Sequence, residues 1–161
     1  LHEPRPTPPL RLDLGKGAHI DVPATAWPMK GLIQSTDDTV RGKWGFVIPT
    51  ERVGLTIGDL DRGEYCTTLS ATPDAGVADW LKKLFAGATF EVRTATRVKL
   101  GDAAAYVEVE QEGRKMAVFL VCHDASFVQL SVFGTRPHSE LRAVLEPIAK
   151  SFVGAPANQA P

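Results

Sequence analysis

The strongest constraint on this chain is the alternation of side-chain character between Ala103 and Phe133. Successive side chains of a strand point to opposite faces, so such a run dictates which residues can share a core. Three strands are predicted in a meander: Ala103 to Gln111, Arg114 to Cys122, and Phe127 to Phe133. Glu112-Gly113 reads as a two-residue hairpin loop, with Gly113 accepting a positive φ. That register sets Val109 opposite Met116, Val107 opposite Val118 and Ala105 opposite Leu120. The reverse face pairs Glu110 with Lys115 and Tyr106 with Phe119, both favourable cross-strand partners. A slip of one residue would press Glu108 and Glu110 against Met116 and Val118.

The same parity argument predicts an odd loop after Cys122. A three-residue, bulge-type turn at His123-Asp124-Ala125 sets Val128 by Leu120, Leu130 by Val118 and Val132 by Met116. The second face of the meander is then mixed. Tyr106, Phe119 and Phe127 supply apolar area, while Glu108, Gln129 and Ser131 supply convergent polar groups. An aromatic patch with polar groups suits a protein partner or a small-molecule groove. Cover by the N-terminal strands or by a helix is the plainer reading of the same residues.

Upstream, Leu10 to Leu14 and Ala18 to Val22 alternate, with Gly15 and Gly17 as the break between two strands. Pro23 and Pro28 flank Trp27 and carry the chain out of the sheet in extended form. Further strands are predicted at Gly31 to Ser35, Trp44 to Ile48, Val53 to Ile57, Glu64 to Ser70 and Phe90 to Leu100, with a polar turn at Thr36 to Lys43. Two helices stand out. Thr72 and Pro73 open the first, whose stripe is Val77, Trp80, Leu81, Leu84 and Phe85, and Gly87 is its expected C-cap. The second carries Leu141, Val144, Leu145, Ile148 and Phe152, with Pro147 expected to kink it or loosen its final turn.

At 161 residues the chain is sized for one domain, placed at 10–153 between a Pro-rich tail at 1–9 and a disordered tail at 154–161. A formal net charge of −1 gives no electrostatic footprint for nucleic acid or an anionic membrane. No apolar run approaches the roughly 18 residues of a membrane span. The start at Leu1, with Pro4, Pro6, Pro8 and Pro9 close behind, resembles the spacer left by a removed signal peptide or lipoprotein anchor, although a trimmed chain would look the same. Export to the periplasm, or lipid anchoring, is the expectation. In that setting a bridge between Cys66 and Cys122 is sensible, closing a loop of some fifty-odd residues. Two small buried hydrophobes would read the same way, and geometry decides between them.

Chemical motifs are absent. Asp59 to Glu64 lacks the third ligand and the closing glutamate of a calcium loop. Two cysteines beside His123 have no fourth ligand, so no metal is expected. His2, His19, His123 and His138 stand in no triad or ligand spacing, and no phosphate loop, dinucleotide fingerprint or nucleophile elbow occurs. Glu108 and Glu110 share one strand, with Lys115 opposite Glu110, whereas paired catalytic carboxylates flank a cleft. No cofactor is implied.

Several stretches together resemble the Mog1/PsbP-like fold: His19-Ile20-Asp21-Val22-Pro23 followed by Trp27, the helix from Pro73 to Ala86, Val98-Lys99-Leu100-Gly101 leading to Ala105-Tyr106, and the ending Ile148-Ala149-Lys150-Ser151-Phe152. The resemblance spans Ala18 to Phe152 and implies an α+β fold, an antiparallel sheet flanked by two main helices in an α/β/α sandwich. It also implies exported or adaptor-type proteins with no shared active site. A non-catalytic exported module that binds a protein or envelope ligand through a sheet face, as a possible homodimer, is therefore the leading expectation. A small envelope hydrolase with a dispersed site, and an effector chaperone or immunity protein, are the alternatives.

Overall fold

A computed structural model describes residues 8–29, 40–60, 63–85 and 90–156. Seven strands form one antiparallel sheet: β3 (Trp27–Pro28), β4 (Val40–Ile48), β5 (Val53–Leu60), β6 (Glu91–Val98), β7 (Ala103–Gln111), β8 (Arg114–His123) and β9 (Ser126–Gly134). Their spatial order is β3-β4-β5-β9-β8-β7-β6. A separate hairpin, β1 (Leu10–Gly15) with β2 (Ala18–Val22), turns through Gly15, Lys16 and Gly17, all at positive φ. The helices are α1 (Gly63–Ala71), α2 (Asp74–Phe85) and α3 (His138–Lys150). The fold is α+β, an antiparallel sheet with helices on both faces, and has three helices where two were expected.

Both faces of the sheet are packed. On one, Cys66, Leu69, Val77 and Leu81 of α1 and α2 cluster with Val107, Val109, Val118 and Leu120. On the other, Leu141, Leu145 and Ile148 of α3 join Ile20 and Val22 of the hairpin against Phe119, Leu130 and Val132. Ser151 ties the hairpin to α3, its hydroxyl accepting from the Asp21 N–H at 2.8 Å and donating to the Ile148 carbonyl at 2.6 Å. The β2 strand also bridges to Val153 through paired backbone bonds from His19.

The β7–β8 register is the expected one, Val109 facing Met116 and Tyr106 facing Phe119, around Glu112 and Gly113 at positive φ. The β8–β9 register is not. The loop holds two residues, Asp124 and Ala125, so Leu120 faces Gln129, Val118 faces Ser131 and Phe119 faces Leu130. Leu130 consequently lies in the α3-side core, while Val107 and Val118 lie in the α1/α2-side core. The parity argument assumed one apolar face; with helices on both faces, either parity of β9 can be buried. Asp124 takes the left-handed backbone conformation (φ 50°) that the tighter turn needs, as short polar residues do, and its N–H donates to Asp102 Oδ2 at 2.7 Å.

Glu64 to Ser70, expected as a strand, lies in α1. Its buried residues, Cys66 and Leu69, are three apart, so they point inward together only on a helix. Pro147 does not end α3, which runs on to Lys150; the Ser151 N–H donates back to the carbonyls of Pro147 and Ile148 at 3.2 Å each. The expected disorder from Gly154 does not hold for 154–156. Gly154 N–H donates to His123 Nδ1 at 2.7 Å, and Ala155 N–H to Ser126 Oγ at 2.8 Å. The approach is so close that a Cβ on Gly154 would collide with the His123 carbonyl. The expectations for Gly31 to Ser35, the first part of the Thr36 to Lys43 turn and the Gly87 cap lie outside the described residues, whereas Lys43 itself belongs to β4.

Cys66 and Cys122 are bonded, their Cα atoms 6.0 Å apart, and the bridge fastens α1 to β8. Both residues are buried, so it is an internal tether of the helical layer. A crosslink over 56 residues is worth about 4 kcal/mol on the chain-entropy model.

Candidate functional site

The six residues expected on one mixed face are divided between two. Tyr106, Glu108 and Phe119 face α3, whereas Phe127, Gln129 and Ser131 face the α1/α2 side, because β9 is shifted by one residue. Tyr106 is 0% and Phe119 1% exposed. The Arg142 guanidinium of α3 lies 4.2 Å from the Tyr106 ring centre and 5.9 Å from that of Phe119, capping both. The Tyr106 hydroxyl donates to Glu108 Oε2 at 2.5 Å. Burial pushes its pKa up, and the bond to Glu108 pushes it further. Phe119 is thus core, not a contact residue, and Phe127 is buried against Tyr65 of α1.

Gln129 and Ser131 belong to a different surface. The helices α1 and α2 pack over the β6–β8 half of their face, and the β4–β5–β9 half carries a groove of about 830 Å³. Its floor follows from strand parity. Gly45, Gly54, Thr56, Gln129 and Ser131 all lie on this side, so there is little side-chain bulk to fill it. The larger groups form one row. Trp27 pairs with Val47, Val47 with Gly54, Gly54 with Phe133, Phe133 with Met116, and Met116 with Val109. An apolar ribbon therefore crosses the sheet from its edge to the covered core. Trp27 is 70% exposed and Phe133 38%. Phe133 occupies the space over Gly54, where a Cβ would overlap its ring. Glycine inside a strand is the sequence signal for such close approach. Neither Gly54 nor Phe133 stands out by charge or motif, so the sequence reading passed over them.

The groove rim is basic. Lys43 from β4, Arg52 from the β4–β5 turn and Arg114 from the start of β8 line it, and no Asp, Glu, His or Cys does among the described residues. None of the three cations is ion-paired with a carboxylate among the described residues. The Ser131 side chain, 3% exposed, lines the same floor.

The remaining polar groups serve the fold. His138 Nε2 lies 3.0 Å from the Val109 carbonyl, and Glu110 pairs with Arg93 at 3.2 Å. Arg97 pairs with Asp74 at 2.7 Å and also donates to the Thr72 carbonyl, holding β6 to the start of α2. Arg136 binds both the carbonyl and the carboxylate of Glu51, at 2.7 and 2.8 Å. No cluster of three or more His, Cys, Asp or Glu suited to a metal occurs among the described residues. None of their helices is long and apolar enough to cross a membrane.

No family model and no curated protein matches the chain. Solved structures do. The Ran-binding protein Mog1p of Saccharomyces cerevisiae aligns at TM-score 0.57 and 10% identity, over 95% of this chain and 98% of that one. Cyanobacterial PsbP (CyanoP) of Synechocystis sp. PCC 6803 aligns at TM-score 0.59 and 13% identity, over 90% and 91%. At such low identity these likenesses establish the Mog1/PsbP-like fold.

Proposed function

We propose that this chain is a non-catalytic accessory module that docks a protein partner in the open half of its helix-side sheet face. The observation that carries the reading is the apolar row through Trp27, Val47 and Phe133, which no described helix covers, beside a packed half of the same face. Exposed aromatics next to a groove are characteristic of interaction surfaces. That Mog1p is a Ran-binding protein supports a protein partner as the class. The hydrolase alternative needs an acid, base or nucleophile in a cleft, and this groove's described residues supply no His, Cys or carboxylate. In a second cleft, lined by Asp21, Glu51, Glu140 and Ser151, Glu51 is bound by Arg136 and Ser151 by backbone groups. The buried bridge between Cys66 and Cys122 supports an exported, oxidising location.

A photo-crosslinking residue placed at Phe133 and, as control, at exposed Lys150 of α3 tests this directly. With envelope extract as bait, protein adducts should form at 133 and not at 150. Equal labelling at both positions, or none at 133, would remove the docking face. Adducts with a second copy of this chain would make the module a homodimer through this face.

A further inference from the structure

We infer that the segment docked here is an extended peptide with an apolar, aromatic centre and carboxylates at both ends; this rests on the docking face proposed above. The reason is where the charges sit. Lys43 pairs with Gly58, and Arg52 lies just before the start of β5, six residues from Gly58 along the chain. At a strand rise of about 3.3 Å per residue, Lys43 and Arg52 stand roughly 20 Å apart along the groove. Arg114 lies at the same end as Arg52, because β8 begins where β9 finishes, Lys115 facing Gly134. The groove is thus basic at both ends and apolar between them, with no opposing carboxylate among its described lining residues.

An extended chain covers about 20 Å in six residues. A segment of that length, acidic at each end, would satisfy both basic poles while its centre lies on Phe133 and Val47. An aromatic side chain in that centre stacks on the Phe133 ring, which itself covers Gly54, with the side-chain-free position of Gly45 alongside. A single-headed anionic amphiphile would engage one pole and leave the other without a counter-charge, so two-ended basicity favours the peptide.

The test is a phage-displayed library with seven randomised positions, panned on the wild-type protein and depleted on Phe133→Asp. Enriched sequences should carry Asp or Glu on both sides of an aromatic or branched apolar centre. Synthetic versions should bind at least ~10-fold more weakly in 0.5 M salt than in 0.05 M, as exposed charge pairs do. Lys43→Glu with Arg114→Glu, both exposed and therefore tolerated by the fold, should turn selection toward basic flanks. Enrichment without charge bias, with acid at one end alone, or no enrichment, overturns the inference. So does calorimetric binding of sodium dodecanoate that displaces every selected peptide. Protein adducts at position 133 alongside a failed selection would leave the docking face standing and remove only the acidic peptide; loss of both would remove the face itself.

Discussion

The two halves of the helix-side face differ in what lies above them, and their side chains differ to match. On β7 and β8 the inward positions are Ala105, Val107, Val109, Val118 and Leu120, all at most 2% exposed beneath α1 and α2. One to three strands beyond β8, β9, β5 and β4 offer Gly45, Gly54, Thr56, Gly58, Gln129 and Ser131, with Phe133 and Trp27 reaching solvent. Branched apolar residues on the covered half stabilise the layer by removing area from water, at about 25 cal/mol per Å². Among the described residues, the open half has no such layer over it. Its small and polar floor tolerates water, and its few exposed rings concentrate apolar area where a partner can reach it. The bridge from Cys66 to Cys122 falls in the covered half, so the tether and the groove occupy opposite sides of this division.

Charge placed on the covered half should have the largest effect. Val107→Asp buries an unpaired carboxylate beneath α1 and α2 and should cost more than about 4 kcal/mol, abolishing the cooperative thermal transition. A folded Val107→Asp protein would mean that the helical layer is loosely held. Next is the tether: Cys66→Ser with Cys122→Ser should lower stability by about 4 kcal/mol in urea titration. A loss below 1 kcal/mol would show that packing alone retains α1.

The α3 face provides a third, fully covered reference. Tyr106 has its pKa raised by burial, so the unfolded chain loses this proton at lower pH than the folded one. Its contribution is complete below pH 10 and declines as pH rises beyond that. Tyr106→Phe, which also removes the bond to Glu108, should cost about 1 kcal/mol at pH 7 but flatten the fall in stability between pH 10 and 12. Parallel pH profiles for both proteins would contradict a buried hydroxyl. The smallest effects on folding belong to the open half. Phe133→Asp should change stability by no more than about 1 kcal/mol while eliminating crosslinking through the groove. Gly54→Ala should displace the Phe133 ring, visible as altered aromatic proton shifts, at a similarly small cost.

The β7–β8 hairpin was legible because three signals agreed: Gly113 at the loop, opposite charges at Glu110 and Lys115, and apolar partners on the other parity. The next turn was not legible. Val128, Leu130 and Val132 can be buried at either parity in a sheet covered on both sides, and nothing local prefers a two-residue to a three-residue loop at Asp124. That single residue of register moved Gln129 and Ser131 into the groove, away from Tyr106 and Phe119 under Arg142 and Glu108 on the Tyr106 hydroxyl. The α1 segment misled for a similar reason, since Cys66 and Leu69 fit a strand pattern until their common burial reveals a helical spacing.

Local patterning by itself determined the antiparallel α+β class, the amphipathic stripes of α2 and α3 and the first hairpin. These rest on periodicities that each segment carries alone. Tertiary structure decided which half of the sheet the helices cover, that α1 brings Cys66 to Cys122, and that the groove carries cations at both ends, Lys43 at one and Arg52 with Arg114 at the other. Those outcomes depend on contacts between residues far apart in the chain, whose energies no local period encodes.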